Sequence, residues 1–271
     1  MPLAVTFDFW NTLVCDTGGI RKHRLDACAA ILAEAGATVD RGDLEVAFQR
    51  SFDVYERHWH DNVPFRAADA VQLILADLEL ARGAGSPVVD GLETSFADLV
   101  SAFTDPPEGF VPPLTDNVAG CLAVLRDAGV RLGIICDVGM TPGRTLRRYL
   151  ANHEVIDCFD HWSFSDEVGV FKPDPVIFAH ALDGLASALG APVPRRRAVH
   201  VGDLRRTDVA GAKAFGMGAV RYAGVFDDPG DADLGTDTME ADAVVTDHAV
   251  LPAVLGVTEG VRPEDSMSRR E

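Results

Sequence analysis

One short apolar strand sits far from every other strand in the sequence, and this separation constrains the fold more than any other feature. Residues 4–9 read Ala4-Val5-Thr6-Phe7-Asp8-Phe9, whereas the next persuasive strand begins at Arg131. A lone strand is not stable in water, so it has to pair with the later ones. The residues between leave the sheet and return to it. They carry helical periodicity. Leu25, Cys28, Ala29, Ile31 and Leu32 mark a helix over 20–36, with Gly36 as its C-cap. Leu44, Ala47, Phe48, Phe52, Tyr55 and Trp59 mark a second over 43–60. A third is expected over 67–81 and a fourth over 92–103, separated by a break at 83–87. The run Thr104-Asp105-Pro106-Pro107-Glu108-Gly109, followed by Pro112-Pro113, reads as a hinge. The expectation is a helical cap of residues 15–112 inserted into a core made of 1–14 and 113–257.

Beyond the hinge, strands alternate with helices. Helices are expected at 117–128, 142–152, 174–189, 207–215 and 248–255, and strands at 131–136, 161–165, 198–201, 218–222 and 243–246. That order predicts an α/β fold with a doubly wound, mainly parallel sheet. From about Thr258 the chain is polar and charged, and 258–271 is expected to be a disordered tail.

Composition narrows the functional classes. Of the 271 residues, 47% are hydrophobic, enough for a sizeable core. No apolar run reaches the roughly 18 residues of a membrane span. The formal net charge of −18 makes nucleic acid and anionic membranes poor partners. A small anionic substrate would need a local cationic pocket or a metal. Cys15, Cys28, Cys121, Cys136 and Cys158 form no C-x-x-C pair, which argues against a zinc site or a disulfide framework. Reduced thiols and the lack of a basic-then-apolar leader predict a cytoplasmic protein.

Four segments carry chemistry, each at the expected end of a strand. Asp8 to Thr12 follows the first strand. Cys136-Asp137-Val138-Gly139-Met140-Thr141-Pro142-Gly143 follows the second, with Pro142 near the favoured first helical position. Such a turn presents N–H groups and a helix dipole to an anion. Phe171-Lys172-Pro173-Asp174 places an ammonium before a proline and a new helix. Gly202-Asp203-Leu204-Arg205-Arg206-Thr207-Asp208 puts two carboxylates after a buried strand. Singly these are a helix cap, a turn, a surface lysine and a buried thiol. In this order, at strand ends, they are far more specific.

Together the four segments resemble the motifs of the haloacid-dehalogenase-like (HAD) superfamily, with the helical block in the position of that family's C1 cap. The resemblance covers most of residues 3–256. It implies a Rossmann-like core and a hydrolase, with a phosphoric monoester as the favoured substrate class. Asp8 would take the nucleophile's role and form an aspartyl-phosphate. Mg²⁺ would be held by Asp8, the backbone carbonyl of Trp10 and Asp203, with Asp208 in support. Lys172 would neutralise nucleophile and phosphate. Thr12, Cys136, Asp137 and the N–H groups after Cys136 would hold the phosphate oxygens.

Two residues depart from the family pattern. Trp10 stands where its phosphatases carry an Asp that protonates the leaving oxygen, and Cys136 stands where a Ser or Thr hydroxyl donates. Loss of the acid costs about 10²–10⁴ in rate. His23, Asp16 and Asp137 are candidates for supplying the proton instead. Haloacid dehalogenases also lack that second Asp, since halide leaves unprotonated, so a metal-free dehalogenase using Asp8 is the first alternative. Arg21 or Arg24 could then bind a substrate carboxylate. The second alternative is a catalytically weak binding or regulatory protein.

Overall fold

The computed structural model describes residues 1–16, 18–82, 92–107, 109–233 and 235–257. The break expected at 83–87 and the tail expected at 258–271 lie outside the described residues.

Strand β1 (Ala4–Phe7) is followed by four helices, α1 (Gly19–Glu34), α2 (Arg41–His60), α3 (Ala67–Arg82) and α4 (Leu92–Thr104). The chain then alternates through α5 (Val118–Asp127), β2 (Arg131–Cys136), α6 (Gly143–Asn152), β3 (His161–Phe164), α7 (Ser165–Val168) and α8 (Pro175–Leu189). It closes with β4 (Ala198–Gly202), α9 (Ala210–Phe215), β5 (Gly218–Tyr222), β6 (Ala243–Val245) and α10 (Leu251–Val254). All six strands pair in parallel, in the order β3-β2-β1-β4-β5-β6. The isolated first strand is thus the centre of the sheet. Chain order reverses on its two sides, which opens a crevice at the carboxyl ends of β1, β2 and β4.

Period-two alternation assigns each strand residue to a face. Val5, Phe7, Leu132, Ile134, Val201 and Val220 pack with residues of α5, α6 and α10 on one side. Ala4, Ile135, Ala198 and Ala219 pack with Ile177, Phe178, Leu185 and Phe215 on the other. Burial on both faces is why these strands read as apolar runs rather than alternating ones. The face toward α8 is built from small residues, and a Cβ on Gly133 would lie 3.2 Å from Leu185.

The helices between β1 and α5 enclose a separate cluster, with Leu25, Cys28, Leu44, Phe48, Val71, Ile74, Leu99 and Phe103 at its centre. Among the described residues it contains no strand, as the sequence pattern leads one to expect. The two chain segments joining it to the sheet run side by side. Val14 bridges Leu114 in antiparallel fashion, and the Cys15 N–H donates to the Pro113 carbonyl at 2.9 Å. No helix among the described residues is long and apolar enough to cross a membrane.

Candidate active site

Asp8 is the first residue past β1, and its N–H donates to the Val201 carbonyl at 2.8 Å. The sheet therefore fixes its backbone while its carboxylate enters the crevice. A tight turn follows, in which the N–H groups of Leu13 and Val14 both reach the Phe9 carbonyl. Asn11 completes it at φ 55°, a left-handed conformation that Asn tolerates better than most residues. The turn lays the Trp10 indole edge-on to Phe9 and Tyr149, with ring centroids 5.0 and 6.4 Å away.

After β4 the chain makes a π turn over Arg205–Val209, in which the N–H groups of Asp208 and Val209 share the Leu204 carbonyl. Such wide turns recur at functional sites. This one swings Asp208 back beneath the strand end. A Cβ at Gly202 would collide with the Asp208 carboxylate, so the approach needs glycine. Asp208 accepts from Lys172 Nζ at 2.7 Å, His200 Nε2 at 3.0 Å and the Leu204 N–H at 2.9 Å. Thr6 Oγ1 lies 2.9 Å from His200 Nδ1 and fixes that ring.

Lys172 Nζ also donates to Asp8 at 2.5 Å, so one buried ammonium bridges two carboxylates from different strand ends. Burial disfavours its charge, but Asp208, Asp8 and Asp137 together outweigh burial and hold it firmly protonated. For Asp8 the balance is reversed. Burial outweighs Lys172, and the Asp208 charge adds to it, so the carboxyl is pushed up to about 7. Burial, then Asp8 and Asp208, raise Asp203 well above the ordinary carboxylate range. Asp208 alone falls below that range, because Lys172 and His200 overcome its burial. Asp137 accepts from the Lys172 N–H at 2.8 Å and the Trp59 indole at 3.0 Å, and burial still raises it.

Oxygens of Asp8, Asp203 and Asp208 all lie within 4.8 Å of one another. With the partly exposed Asp137, four carboxylates crowd the Lys172 ammonium, and the Arg206 guanidinium adds a second, more distant positive charge. Such an imbalance is costly without a further cation. An all-oxygen donor set suits a hard divalent ion such as Mg²⁺.

The crevice opens into a cleft of about 470 Å³. Its sheet side carries Asp8, Trp10, Asn11, Asp137, Lys172 and Asp203. Its opposite side carries Arg24 from α1 and Phe52, Tyr55, Glu56 and Trp59 from α2. Tyr55 and Trp59 stood out in the sequence only as an apolar stripe. The stripe continues past the helical cluster and its end faces the cleft. Trp59 is held between two sheet-side loops, by its bond to Asp137 and by the Arg206 guanidinium 4.2 Å above its ring. Thr207 lines the cleft with a buried Oγ1 that has no hydrogen-bond partner among the described residues. Sequence reasoning passed over it, and its place between Asp203 and Asp208 was the available signal.

Several expected roles meet a different geometry. Cys136 is fully buried, does not line the cleft, and turns its thiol to the Asp137 carbonyl at 3.4 Å. Thr12 is also fully buried; its carbonyl accepts from Thr115 and His248, and its hydroxyl has no hydrogen-bond partner among the described residues. The N–H of Val138 is taken by Ser165, and that of Gly143 by Asp166. Pro142 is the N-cap residue rather than the first helical one. The helix expected over 207–215 begins as the π turn instead. Among the proton candidates, Asp16 and Asp137 line the cleft, whereas His23 stacks on Phe110 outside it. Arg24 lines the cleft and Arg21 is exposed.

A family model for haloacid dehalogenase-like hydrolases matches residues 2–216. The chain belongs to that family. The hydrolase is 29% identical to the glyceraldehyde 3-phosphate phosphatase of Methanopyrus kandleri over 223 residues, 82% of this chain and 84% of the relative. Its fold matches a HAD phosphatase from Thermococcus onnurineus with a TM-score of 0.60 at 24% identity, covering 95% of this chain and 99% of the other. It matches a 2-haloacid dehalogenase from Pseudomonas syringae equally well, with a TM-score of 0.61 at 24% identity over 94% and 99% of the two chains. The shared fold therefore spans both chemistries, and the side chains of the site have to separate them.

Proposed function

We propose that this hydrolase is a Mg²⁺-dependent phosphatase that cleaves a small phosphorylated metabolite through an aspartyl-phosphate on Asp8. The observation that carries this reading is the buried Asp8–Lys172–Asp208 bridge with Asp203 beside it. Attack on a carbon–halogen bond needs one carboxylate. It does not need three within 4.8 Å of one another. The relative named a glyceraldehyde 3-phosphate phosphatase supports the same substrate class.

Asp8, Asp203 and the Trp10 carbonyl would hold the ion, while Asp208, with its oxygens already engaged, would orient Lys172 and the loop. Mg²⁺, when bound, supplies positive charge that neutralises phosphate and nucleophile. Asp8 is then ionised and attacks phosphorus. The ester P–O bond breaks, and the departing oxygen leaves with the bonding electron pair. Lys172 stays protonated throughout and screens the repulsion between carboxylate and phosphate. Its bridge to Asp208 keeps it from drifting. Water then attacks phosphorus, releasing phosphate and restoring Asp8. Trp10 has no acidic proton to give the leaving oxygen. Asp16 and Asp137, which line the cleft with Glu56, are the candidates to give one.

Trp10 is the specific observation favouring dehalogenation as a second reading. A panel of phosphorylated metabolites, including glyceraldehyde 3-phosphate, run beside 2-haloacids with Mg²⁺ or with EDTA, separates the two. Phosphate release that requires Mg²⁺ is expected. Halide release in EDTA without phosphate release would replace this reading with the dehalogenase one.

A further inference from the structure

Arg24 enters the cleft from the side opposite the carboxylate cluster. One of its amino groups is used within the protein, donating to the Phe103 carbonyl at 2.9 Å and Thr141 Oγ1 at 2.7 Å. The guanidinium stacks on the Phe103 ring at 5.1 Å. Its Nε is buried with no hydrogen-bond partner among the described residues. No carboxylate lies within ion-pair distance of it among the described residues, although the chain carries 42 acidic residues against 24 basic ones. Asp16 and the Tyr149 hydroxyl are near enough to favour its charge, and burial still lowers its pKa to about 10. The Tyr149 hydroxyl is itself buried without a hydrogen-bond partner among the described residues.

A bridging role explains one amino group. It does not explain why a partly buried guanidinium keeps a buried spare donor with no carboxylate in ion-pair contact, since leaving such a donor unpaired is costly. An arginine fixed by stacking and by one amino group is pre-oriented to present its remaining N–H groups to a planar anion. A phosphate group alone occupies a small part of 470 Å³, so the cleft holds the rest of the substrate as well.

We infer that Arg24 is a specificity residue that binds a second anionic group, a carboxylate or another phosphate, on the leaving portion of the phosphomonoester. The inference rests on the phosphatase reading and deepens it. It also separates the substrate from the neutral-tailed triose phosphate in the relative's name. The walls from Phe52, Tyr55 and Trp59 would cover the carbon chain between the two charges.

The test compares 3-phosphoglycerate, 2-phosphoglycolate and a sugar bisphosphate with glycerol 3-phosphate and glyceraldehyde 3-phosphate, using wild type, Arg24→Gln and Arg24→Lys. Wild type should favour the doubly anionic esters at least tenfold in kcat/KM. Whether carboxylate or bisphosphate leads identifies the second group. Arg24→Gln should erase that preference chiefly through KM, and Arg24→Lys should restore part of it. Loss of the bridge alone would instead lower all five substrates by the same factor and leave their ratios unchanged, which overturns the proposal. So does a wild type with no preference. Calorimetric binding of the same compounds to wild type and Arg24→Gln reads the anchor without turnover. A tenfold affinity difference without hydrolysis would therefore sink the phosphatase reading and keep Arg24, and equal affinities would sink Arg24. Melting curves of both variants confirm that folded protein is compared.

Discussion

Replacing Asp8, the proposed nucleophile, should abolish turnover and stabilise the metal-free protein. Asp8 is raised from 3.8 to about 7 by burial acting against Lys172, which corresponds to roughly 4 kcal/mol of penalty on folding with that carboxylate at pH 7.5. Asn keeps the shape and removes the penalty. Asp203 and Asp208 share the same negative field, so part of the burden stays with them. We therefore expect a net gain of about 2 kcal/mol for Asp8→Asn, or about 4–8 °C in Tm for a chain of this size. The pH dependence has a definite sign. The folded carboxyl titrates above the unfolded one, so the wild-type penalty is absent below about pH 4, grows between 4 and 7, and is constant above. The Tm advantage of Asp8→Asn should grow over that window. Scanning calorimetry in EDTA at pH 4.5, 6 and 7.5 measures it. A variant that melts below wild type at pH 7.5, or whose advantage ignores pH, would refute the electrostatic account of the site. Adding Mg²⁺ should raise wild-type Tm and move the variant much less.

Three further outcomes follow from the same geometry. Mg²⁺ affinity should strengthen from pH 6 to 8, with proton release in calorimetry, because Asp8 and Asp203 have to lose protons to bind it; affinity flat across that range would contradict the raised carboxyls. Gly202→Ala should cost about 1–3 kcal/mol, read by chemical denaturation, and should depress activity, because its Cβ occupies the space of the Asp208 carboxylate; a neutral effect would mean the π turn yields freely. Wild type should hydrolyse aryl phosphates far faster than alkyl phosphates, and Trp10→Asp should narrow the gap while losing about 2–3 kcal/mol of packing against Phe9 and Tyr149. Equal wild-type rates on both ester types would point to a proton from Asp16 or Asp137.

Sequence alone determined the layered fold and the four strand-end segments. Periodicity reports which faces are buried, and burial on both faces of β1, β2 and β4 leaves an apolar signature that needs no partner to be read. The distance between β1 and β2 along the chain was enough to mark the run of helices between them. Asp8, Lys172, Asp203 and Asp208 were legible because the four segments that carry them, taken in order at strand ends, resemble the family's motifs, and all four meet at one crevice. Tertiary structure decided how the cluster is shared. Spacing could not show that Asp208 spends its oxygens on Lys172, His200 and Leu204, because those partners come from β4 and from loops far apart in sequence. Nor could it show that Cys136 and Thr12 turn into the core, since a one-residue change of register decides between crevice and interior. Arg21 and Arg24 were equivalent as letters. Helical phase and the position of Phe103 expose one to solvent and aim the other into the cleft, because which side of α1 faces the sheet is fixed only when α4 packs against it.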